Sequence, residues 1–338
     1  MIYGDVELHN VAEAVPAADG GVRLQRVPES VRRCLSEHGR ERMLDPAGVE
    51  IRFVPEQDGA ALALHSLSGR TDLWAFWGDF QAGPLPSVGQ DLATVEVRAP
   101  RWFLDQEIAG LGAASFSHRV CRVWLQGGAV CFHGLEGRAR PPRAGEVPAL
   151  YYLGYGTSIT QGAGSSLRHL SFLAQTARRL GADALNLGCA SAAFCEPELA
   201  DYIGRRRDWH VATLEPTANL LKVPLEEFRR RAAGLVAAVA GPDPARPVAC
   251  LTLMPLAADA DPRQVGADWG GTPDDYRRVF REVAEGSGLP NVHCIEGRDL
   301  LAGVRDLTTS MIHPSDYGHG QIAANLAPRL GRWLRVAG

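Results

Sequence analysis

The chain has 338 residues, of which 46% are hydrophobic and 22% are charged, and its formal net charge is −4. This composition is typical of a globular protein, and the length allows two domains or one large one. The small negative charge excludes the basic footprint of a nucleic-acid-binding protein. No apolar run is long enough to span a bilayer.

The first 147 residues contain short alternating apolar runs that are separated by glycine and proline turns. The runs lie at 49–54, 61–65, 93–98, 119–125 and 129–133. Many short strands with turn signals predict an all-β sandwich. The last two runs flank Gln126-Gly127-Gly128, which predicts a hairpin between them. A segment rich in proline and charge at 138–146 predicts a linker, and hence a first domain over 1–147.

From residue 148 to 338 the pattern changes to strands that alternate with helices. Strands are predicted at 149–155, 184–187, 211–214, 248–253 and 292–295. Helices are predicted at 170–180, 196–203, 225–239, 276–283 and 322–333. Such alternation predicts a parallel sheet covered by helices on both faces. In these sheets the ligand lies at the carboxyl ends of the strands.

The cysteines and the N-terminus bear on the compartment. The chain has seven cysteines, an odd number, and no C-x-x-C pair. Most lie in apolar, strand-like surroundings, which predicts small core residues in a reducing compartment rather than a disulfide framework or a zinc site. The first residues lack the charged and apolar regions of a signal peptide, so we expect a cytoplasmic protein.

One serine has a position that suits a nucleophile. Ser158 follows the first strand of the second half directly, in the segment Gly154-Tyr155-Gly156-Thr157-Ser158-Ile159-Thr160-Gln161-Gly162. Glycines allow a sharp turn and a close approach of substrate. The segment is not a G-x-S-x-G nucleophile elbow, because Thr160 replaces the second glycine. Taken alone, it is as consistent with a Ser/Thr cap at a helix start as with a nucleophile.

A histidine near the end of the chain favours the catalytic interpretation. His313 lies in a polar loop just before the last predicted helix. A serine needs a base to become a nucleophile near neutral pH, and the pKa of histidine suits that role. His319, six residues later, is expected to be a surface residue at the start of the helix. Without Ser158, His313 would be interpreted as a surface histidine as well.

Four segments in the second half, in the expected order, resemble the blocks of the GDSL/SGNH hydrolase family. They are Gly156-Thr157-Ser158-Ile159-Thr160, Asn186-Leu187-Gly188-Cys189-Ala190-Ser191, Leu214-Glu215-Pro216-Thr217-Ala218-Asn219 and Ile312-His313-Pro314. The resemblance implies a flavodoxin-like, three-layer α/β/α catalytic domain over 148–338. The first domain resembles, more weakly, the jelly-roll-like, carbohydrate-binding-like β-sandwich that precedes this domain in a subgroup of the family. Arg119-Val120-Cys121-Arg122-Val123-Trp124 and Arg140-Pro141-Pro142 are the segments that support this weaker likeness.

The resemblance also implies roles for individual residues. Ser158 would be the nucleophile and His313 the base. The oxyanion hole would be formed by the backbone N–H groups of Ser158 and Ser191 and by the side chain of Asn219, although Asn219 could instead be a turn residue. Ser191 stands where the family has a glycine, which narrows the backbone conformations open to that position.

The residue that orients His313 is the main departure from the family pattern. The family has an aspartate three residues before the histidine, and here that position is Ser310. Asp306, Asp316 or Glu215 could replace the carboxylate. A Ser–His dyad that uses the Ser310 hydroxyl or a backbone carbonyl is the other possibility.

These observations predict a serine esterase or deacylase acting on a carboxylic ester. The substrate would be a small-molecule ester such as an acylated sugar or an acylated natural product. Alternatives are an acyltransferase, which could use an acyl-donor thioester, and a carbohydrate-binding protein with a degenerate catalytic domain. We expect no nucleic-acid or membrane partner, no cofactor and no metal. His65 and His133 lie in strand patterns and are expected to be structural residues rather than metal ligands.

Overall fold

The structure, a computed structural model, describes residues 1–108 and 116–336, with side chains up to residue 334. It contains two compact units. The first comprises Met1–Glu29, Met43–Leu150 and Gly181–Asp183, and the second comprises Ser30–Arg42, Tyr151–Leu180 and Ala184–Gly338. The main division along the chain falls between residues 150 and 151, and the domain boundary after 147 stays a prediction. Residues 30–42 group with the second unit although they precede most of the first.

The first half of the chain forms twelve strands and three short helices among its described residues. The strands are β1 (Ile2–Tyr3), β2 (Val6–His9), β3 (Glu13–Pro16), β4 (Val22–Gln25), β5 (Glu50–Pro55), β6 (Gly59–Ser66), β7 (Thr71–Trp77), β8 (Phe80–Val88), β9 (Ala93–Arg98), β10 (Cys121–Gly127), β11 (Val130–Glu136) and β12 (Ala139–Arg140). The helices are α1 (Glu29–Arg32), α2 (Glu37–Arg42) and α3 (Arg101–Leu104).

The strands make two antiparallel sheets that share one core. One sheet has the order β1-β2-β5-β10-β7-β8, with β12 paired to β5, and the other has the order β3-β4-β11-β6-β9. Apolar residues of both sheets form one buried cluster, for example Ile51 and Val123 from the first sheet and Leu64 and Phe132 from the second. Alternation along each strand places these side chains inward. The predicted β-sandwich is thus confirmed.

The predicted hairpin around Gln126-Gly127-Gly128 is wrong. β10 pairs with β5 and β7 in one sheet, whereas β11 pairs with β4 and β6 in the other. The glycine turn therefore carries the chain from one sheet to the other. A short glycine turn between two alternating runs looks the same in sequence whether the strands pair with each other or face each other across a core.

The second half alternates strands with helices as predicted. The strands are β13 (Leu150–Gly156), β14 (Ala182–Gly188), β15 (Val211–Glu215), β16 (Val248–Leu251) and β17 (Val292–Ile295). The helices are α4 (Ser158–Gln161), α5 (Phe172–Leu180), α6 (Pro197–Arg205), α7 (Leu225–Ala240), α8 (Ala257–Ala260), α9 (Pro273–Glu285), α10 (Gly297–Leu300) and α11 (Asp316–Val336). Short 3₁₀ turns lie at Arg168–Leu170, Thr217–Leu220, Pro262–Gln264 and Val304–Asp306.

The five strands form a sheet of order β14-β13-β15-β16-β17, in which the pairs β13–β15, β15–β16 and β16–β17 are parallel. This is the 2-1-3-4-5 order of flavodoxin-like folds, whose ligands bind where the order reverses, between the first and third strands. Here that position is the pair of carboxyl ends of β13 and β15. Helices pack in two groups, α5 with α11 and α7 with both α6 and α9, so the predicted α/β fold is confirmed.

Candidate active site

Ser158 lies at the carboxyl end of β13, where the strand turns into α4. Thr157 caps this short helix, because its hydroxyl accepts a hydrogen bond from the Ile159 N–H. A Cβ at Gly156 would lie 2.7 Å from the carbonyl oxygen of Glu215 and would also collide with the Thr160 hydroxyl. The glycine is therefore needed for β13 and β15 to end side by side, with the serine directly after them.

His313 reaches Ser158 from the loop before α11. Its Nε2 lies 2.8 Å from the Ser158 Oγ. The loop is closed by a hydrogen bond from the Thr308 N–H to the His313 carbonyl oxygen, at 2.8 Å, and by a bridge between Leu307 and Pro314. Partial burial lowers the pKa of His313 below its ordinary value of 6.5. The imidazole is thus mostly neutral at pH 7 and is able to accept a proton from the serine.

The other ring nitrogen of His313 faces a hydroxyl group. Nδ1 lies 3.1 Å from the Ser310 Oγ, which also accepts a hydrogen bond from the His313 backbone N–H at 3.2 Å. If Nε2 accepts from Ser158, then Nδ1 carries the proton and donates to Ser310. The Ser310 hydroxyl can in turn donate to the Thr308 Oγ1, 2.8 Å away. Sequence reasoning missed Thr308, whose only signal is its place two residues before Ser310.

The expected oxyanion donors belong to three neighbouring loops. Ser191 has a φ of 58°, the left-handed conformation that favours the glycine of the family pattern. The side-chain oxygen of Asn219 accepts from the Ala193 N–H at 3.0 Å, which fixes the amide group so that its nitrogen is the free end. Within the described ranges, no hydrogen bond uses the N–H of Ser158 or Ser191 or the side-chain nitrogen of Asn219.

The second half of the chain matches a known family. The model of the GDSL-like lipase/acylhydrolase family matches residues 152–331, more than half of the chain. The protein belongs to the GDSL-like family. A comparison with curated proteins finds no match. The match covers β13 with Ser158 and extends past His313, so it spans both residues of the 2.8 Å contact.

Solved structures share the fold of this GDSL-like protein at low sequence identity. A salicylyl-acyltransferase, SsfX3, from a tetracycline biosynthetic pathway has a TM-score of 0.78 at 17% identity, over 97% of this chain and 95% of that one. A family two carbohydrate esterase from Clostridium thermocellum gives 0.64 at 18%, over 98% and 99%. One from Cellvibrio japonicus gives 0.66 at 13%, over 98% and 96%. Identities this low establish a shared fold only.

Three acidic residues, Asp306, Asp316 and Glu215, are the other candidates for orienting the histidine of this GDSL-like protein. Asp316 accepts a hydrogen bond from the Ser166 N–H at 2.8 Å. Asp306 contacts Ser315 through its backbone oxygen. Glu215 accepts from Thr157 and Thr160, as described below. Of the four candidates, the structure brings only Ser310 within hydrogen-bonding distance of the His313 ring. Which group orients the ring during catalysis stays a prediction.

Glu215 is a buried carboxylate that contacts residues on both sides of Ser158. One of its oxygens, Oε2, accepts from the Thr157 N–H at 3.2 Å, the Thr157 hydroxyl at 2.8 Å and the Thr160 hydroxyl at 3.1 Å. Burial raises the pKa of Glu215 to about 7, and these hydrogen bonds offset the effect only in part. Glu215 thus holds the residues on both sides of Ser158. Neither threonine was predicted to hold a carboxylate.

His319 is a correction to the sequence analysis. It was expected on the surface, but it is fully buried and stacks on the Phe172 ring. Its Nδ1 accepts from the Phe172 N–H at 3.0 Å, and its Nε2 lies 3.1 Å from the Ala163 carbonyl oxygen. Burial lowers the pKa of His319 to about 4. The residue therefore joins the start of α5 to the loop after α4 as a neutral imidazole.

The helices and the cysteines bear on the environment of the protein. Across the described ranges, none of the helices is both long enough and apolar enough to cross a membrane. All seven cysteines are described and none is in a disulfide, and five of them are buried. The expectation of small core cysteines therefore fits Cys121, Cys131, Cys189, Cys195 and Cys250.

Proposed function

We propose that the protein is a serine esterase that deacylates a carboxylic ester of a small molecule, such as an acylated sugar or an acylated natural product. The observation that supports this most is the 2.8 Å contact between the Ser158 Oγ and the His313 Nε2 at the carboxyl end of the sheet. Membership of the GDSL-like lipase/acylhydrolase family supports the same chemistry. The contact also argues against a binding protein with a degenerate catalytic domain.

The proposed reaction has two steps. In the first, Ser158 attacks the ester carbonyl carbon while His313 takes its proton, and His313 then gives that proton to the departing alcohol. In the second, water attacks the acyl-serine with His313 again as the base. The N–H groups of Ser158 and Ser191 and the Asn219 amide would stabilise the oxyanion in both steps. Each such donor is typically worth about 2.7–4 kcal/mol in the barrier.

An acyltransferase is the second candidate, and the hydroxyl beside His313 is the observation that favours it. A neutral Ser310 fixes the tautomer of the ring but stabilises the imidazolium less than a carboxylate would. Attack on the acyl-enzyme would then be slow for water and for an alcohol alike, so an acceptor alcohol that the site binds and positions would gain the advantage. Among the proteins of similar fold, one is named as a salicylyl-acyltransferase and others as carbohydrate esterases, so both chemistries occur on this fold.

Labelling with a fluorophosphonate, a serine-directed probe, tests the proposed nucleophile. We expect one label per chain, which peptide mapping should locate at Ser158. Ser158→Ala should abolish the label, and His313→Ala should slow labelling by about 10³-fold or more because the base is lost. Ser287→Ala is the matched control, since Ser287 is also half-buried but does not contact a histidine. Labelling that persists in Ser158→Ala would contradict the assignment.

Partition of the acyl-enzyme separates the two candidates. The intact protein is acylated with an aryl acetate and then exposed to water, to sugar alcohols or to phenols. An esterase releases the free acid at a rate that the acceptor does not change. An acyltransferase releases acid slowly and forms a new ester with one acceptor class.

A cytoplasmic location stays a prediction, to which the seven free cysteines lend support.

A further inference from the structure

A cluster of four potential metal ligands lies in the first unit, in the β-sandwich. Asp19, His65, Cys131 and His133 each offer one ligand atom, and these atoms all lie within 4.8 Å of one another. The Asp19 Oδ2 lies 3.4 Å from the His65 Nε2 and 3.5 Å from the His133 Nε2. The Cys131 Sγ lies 3.7 Å from the Asp19 Oδ1. None of these side chains belongs to the serine–histidine site.

The sheet register explains how residues so far apart in sequence meet. Cys131 in β11 stands directly opposite His65 in β6, and His133 follows two residues later on β11. The neighbouring Phe132 points into the sandwich core, so Cys131 lies on the opposite face of the sheet. The register shifts between Phe132 and Gly134, and His133 lies at this irregularity, with its ring nitrogen within 4.8 Å of the other ligand atoms. Asp19 comes from the turn between β3 and β4 and is held there by the Gly21 N–H, at 3.1 Å.

The distances match the edges of a metal tetrahedron. Zinc binds nitrogen and oxygen at about 2.0–2.2 Å and sulfur at about 2.3 Å in tetrahedral sites, which places neighbouring ligand atoms about 3.3–3.7 Å apart. The 3.4 and 3.5 Å from the Asp19 Oδ2 to the two histidine nitrogens fall in this range, and the remaining ligand atoms lie within 4.8 Å of one another. A divalent ion would also be neutralised by one thiolate and one carboxylate, so the mostly buried cluster would carry no net charge.

Two further features of the cluster favour a bound ion. The buried Nε2 of His133 has no hydrogen-bond partner in the part of the chain that the structure describes, although a buried ring nitrogen normally has one. A Cβ at Gly21 would lie 2.6 Å from this nitrogen and 2.7 Å from the Cys131 Sγ. Any residue other than glycine at position 21 would therefore occupy the space in front of two ligand atoms.

We propose that Asp19, His65, Cys131 and His133 bind a structural Zn²⁺ ion that ties the β3–β4 turn to β6 and β11. On binding, the Cys131 thiol loses its proton to solvent and its sulfur becomes a metal ligand. This inference departs from the sequence-based expectation of no metal. The spacing 19, 65, 131 and 133 matches no zinc motif, because two separate strands and a turn contribute the ligands.

Metal content of the full-length protein is the first test. The chain is stripped with a chelator, dialysed against buffer with micromolar Zn²⁺ or Co²⁺ and measured by mass spectrometry of the metals. We expect about one ion per chain, a higher Tm with Zn²⁺ than without, and a thiolate-to-cobalt absorption band with Co²⁺. A folded wild-type protein that retains no metal and shows no shift in Tm would overturn the proposal.

Matched variants locate the ion. Cys131→Ala and His133→Asn should weaken binding by more than about tenfold, and Cys131→Ala should remove the cobalt–thiolate band. Cys34→Ala, at an exposed free cysteine, is the control. Gly21→Ala keeps all four ligands but fills the space before them, so it should also lose the ion. Gly89→Ala, where a Cβ meets nothing within 4 Å, should not. Wild-type affinity in a folded Cys131→Ala or Gly21→Ala protein would overturn the assignment.

Discussion

Two buried glutamates, one in each unit, have pKa values that are shifted in opposite directions because their neighbours differ. Burial alone would raise the pKa of Glu50, but Arg122 and Arg52 outweigh it and hold the pKa of this carboxyl well below its ordinary value. Burial raises the pKa of Glu215 to about 7, since its neighbours are N–H and hydroxyl groups. A buried carboxylate thus stays ionised beside guanidinium groups and becomes protonated near neutral pH beside hydroxyls.

The same contrast separates the surroundings of Glu50 from those of Glu215 and His313. In the sandwich, Arg122 makes two hydrogen bonds to Glu50, both at 2.7 Å, and lies 3.6 Å above the Phe116 ring. In the catalytic unit, hydroxyls contact both Glu215 and His313. Guanidinium partners thus keep the buried Glu50 ionised, whereas hydroxyl partners leave the pKa of Glu215 near neutral pH.

The largest effect should come from removing a cation in the sandwich. Arg122→Met leaves both oxygens of the buried Glu50 without their strongest donor. Breaking a buried ion pair on one side typically costs about 3–5 kcal/mol. We therefore expect the free energy of unfolding to fall by about this amount, with loss of the Phe116 contact included. Urea denaturation of the intact wild-type and Arg122→Met proteins measures this difference in the free energy of unfolding.

A double variant separates charge from packing. In Arg122→Met the Glu50 carboxylate keeps only Arg52 as a charged partner, at 2.8 Å. In Glu50→Leu/Arg122→Met this carboxylate is gone, and Arg52 loses that bond but keeps its hydrogen bonds to Asp183 of the same unit, at 2.5 and 2.8 Å. Most of the lost stability should return, because apolar replacements of a buried pair are often neutral. If the double variant is less stable than Arg122→Met alone, the cost lies in packing and not in the stranded charge.

The next largest effect should be the dependence of stability on pH that Glu215 creates. The difference between its ordinary pKa of 4.5 and about 7 corresponds to about 3 kcal/mol. Between these values the unfolded chain ionises first, so stability falls as pH rises and stays lower above pH 7. Glu215→Gln removes this dependence of stability on pH, because glutamine does not ionise. Its free energy of unfolding should exceed that of wild type at pH 8 by up to about 3 kcal/mol, with little difference at pH 4.5.

Two controls make the Glu215 experiment decisive. Glu226→Gln, at an exposed position of α7, should show no such pH-dependent gain. Acylation of Ser158 in Glu215→Gln should stay within a few-fold of wild type, because an amide oxygen can still accept from Thr157 and Thr160. A stability difference that does not change between pH 4.5 and 8 would contradict the raised pKa. A loss of acylation by orders of magnitude would instead identify Glu215 as the orienting carboxylate.

The sequence predicted that Ser158 directly follows a strand and that His313 precedes the last helix, because the succession of elements along the chain is a local signal. It could not predict that Glu215 accepts from Thr157, because that contact depends on β13 and β15 being neighbours in the sheet. His319 was misplaced for a similar reason, since its partner Phe172 lies 147 residues away. Local polarity does not reveal a buried imidazole that is satisfied by distant backbone groups.

The smallest expected effect comes from giving His313 a charged neighbour in place of the Ser310 hydroxyl. In Ser310→Asp the new carboxylate should lie beside Nδ1 and stabilise the imidazolium. Because Ser310 is exposed, water should screen much of this attraction, and we expect acylation to become about tenfold faster, or about 1.4 kcal/mol. The carboxylate also favours the charged ring, so the pKa of His313 should rise.

The pH profile distinguishes this charge effect from a change in packing. Acylation needs the neutral imidazole, so its rate should rise with pH through the pKa of His313. Ser310→Asp should shift this rise in rate to higher pH. Ser310→Asn is the matched control, because asparagine has the shape of aspartate without its charge. It should neither accelerate acylation nor shift the pH dependence of the rate.

Asp306→Asn and Asp316→Asn should acylate at nearly the wild-type rate, since neither carboxylate contacts the ring in the structure. If either slows acylation by orders of magnitude while Ser310→Asp gives no gain, a carboxylate already orients His313 when substrate is bound, and the contrast between charged and neutral neighbours does not extend to catalysis.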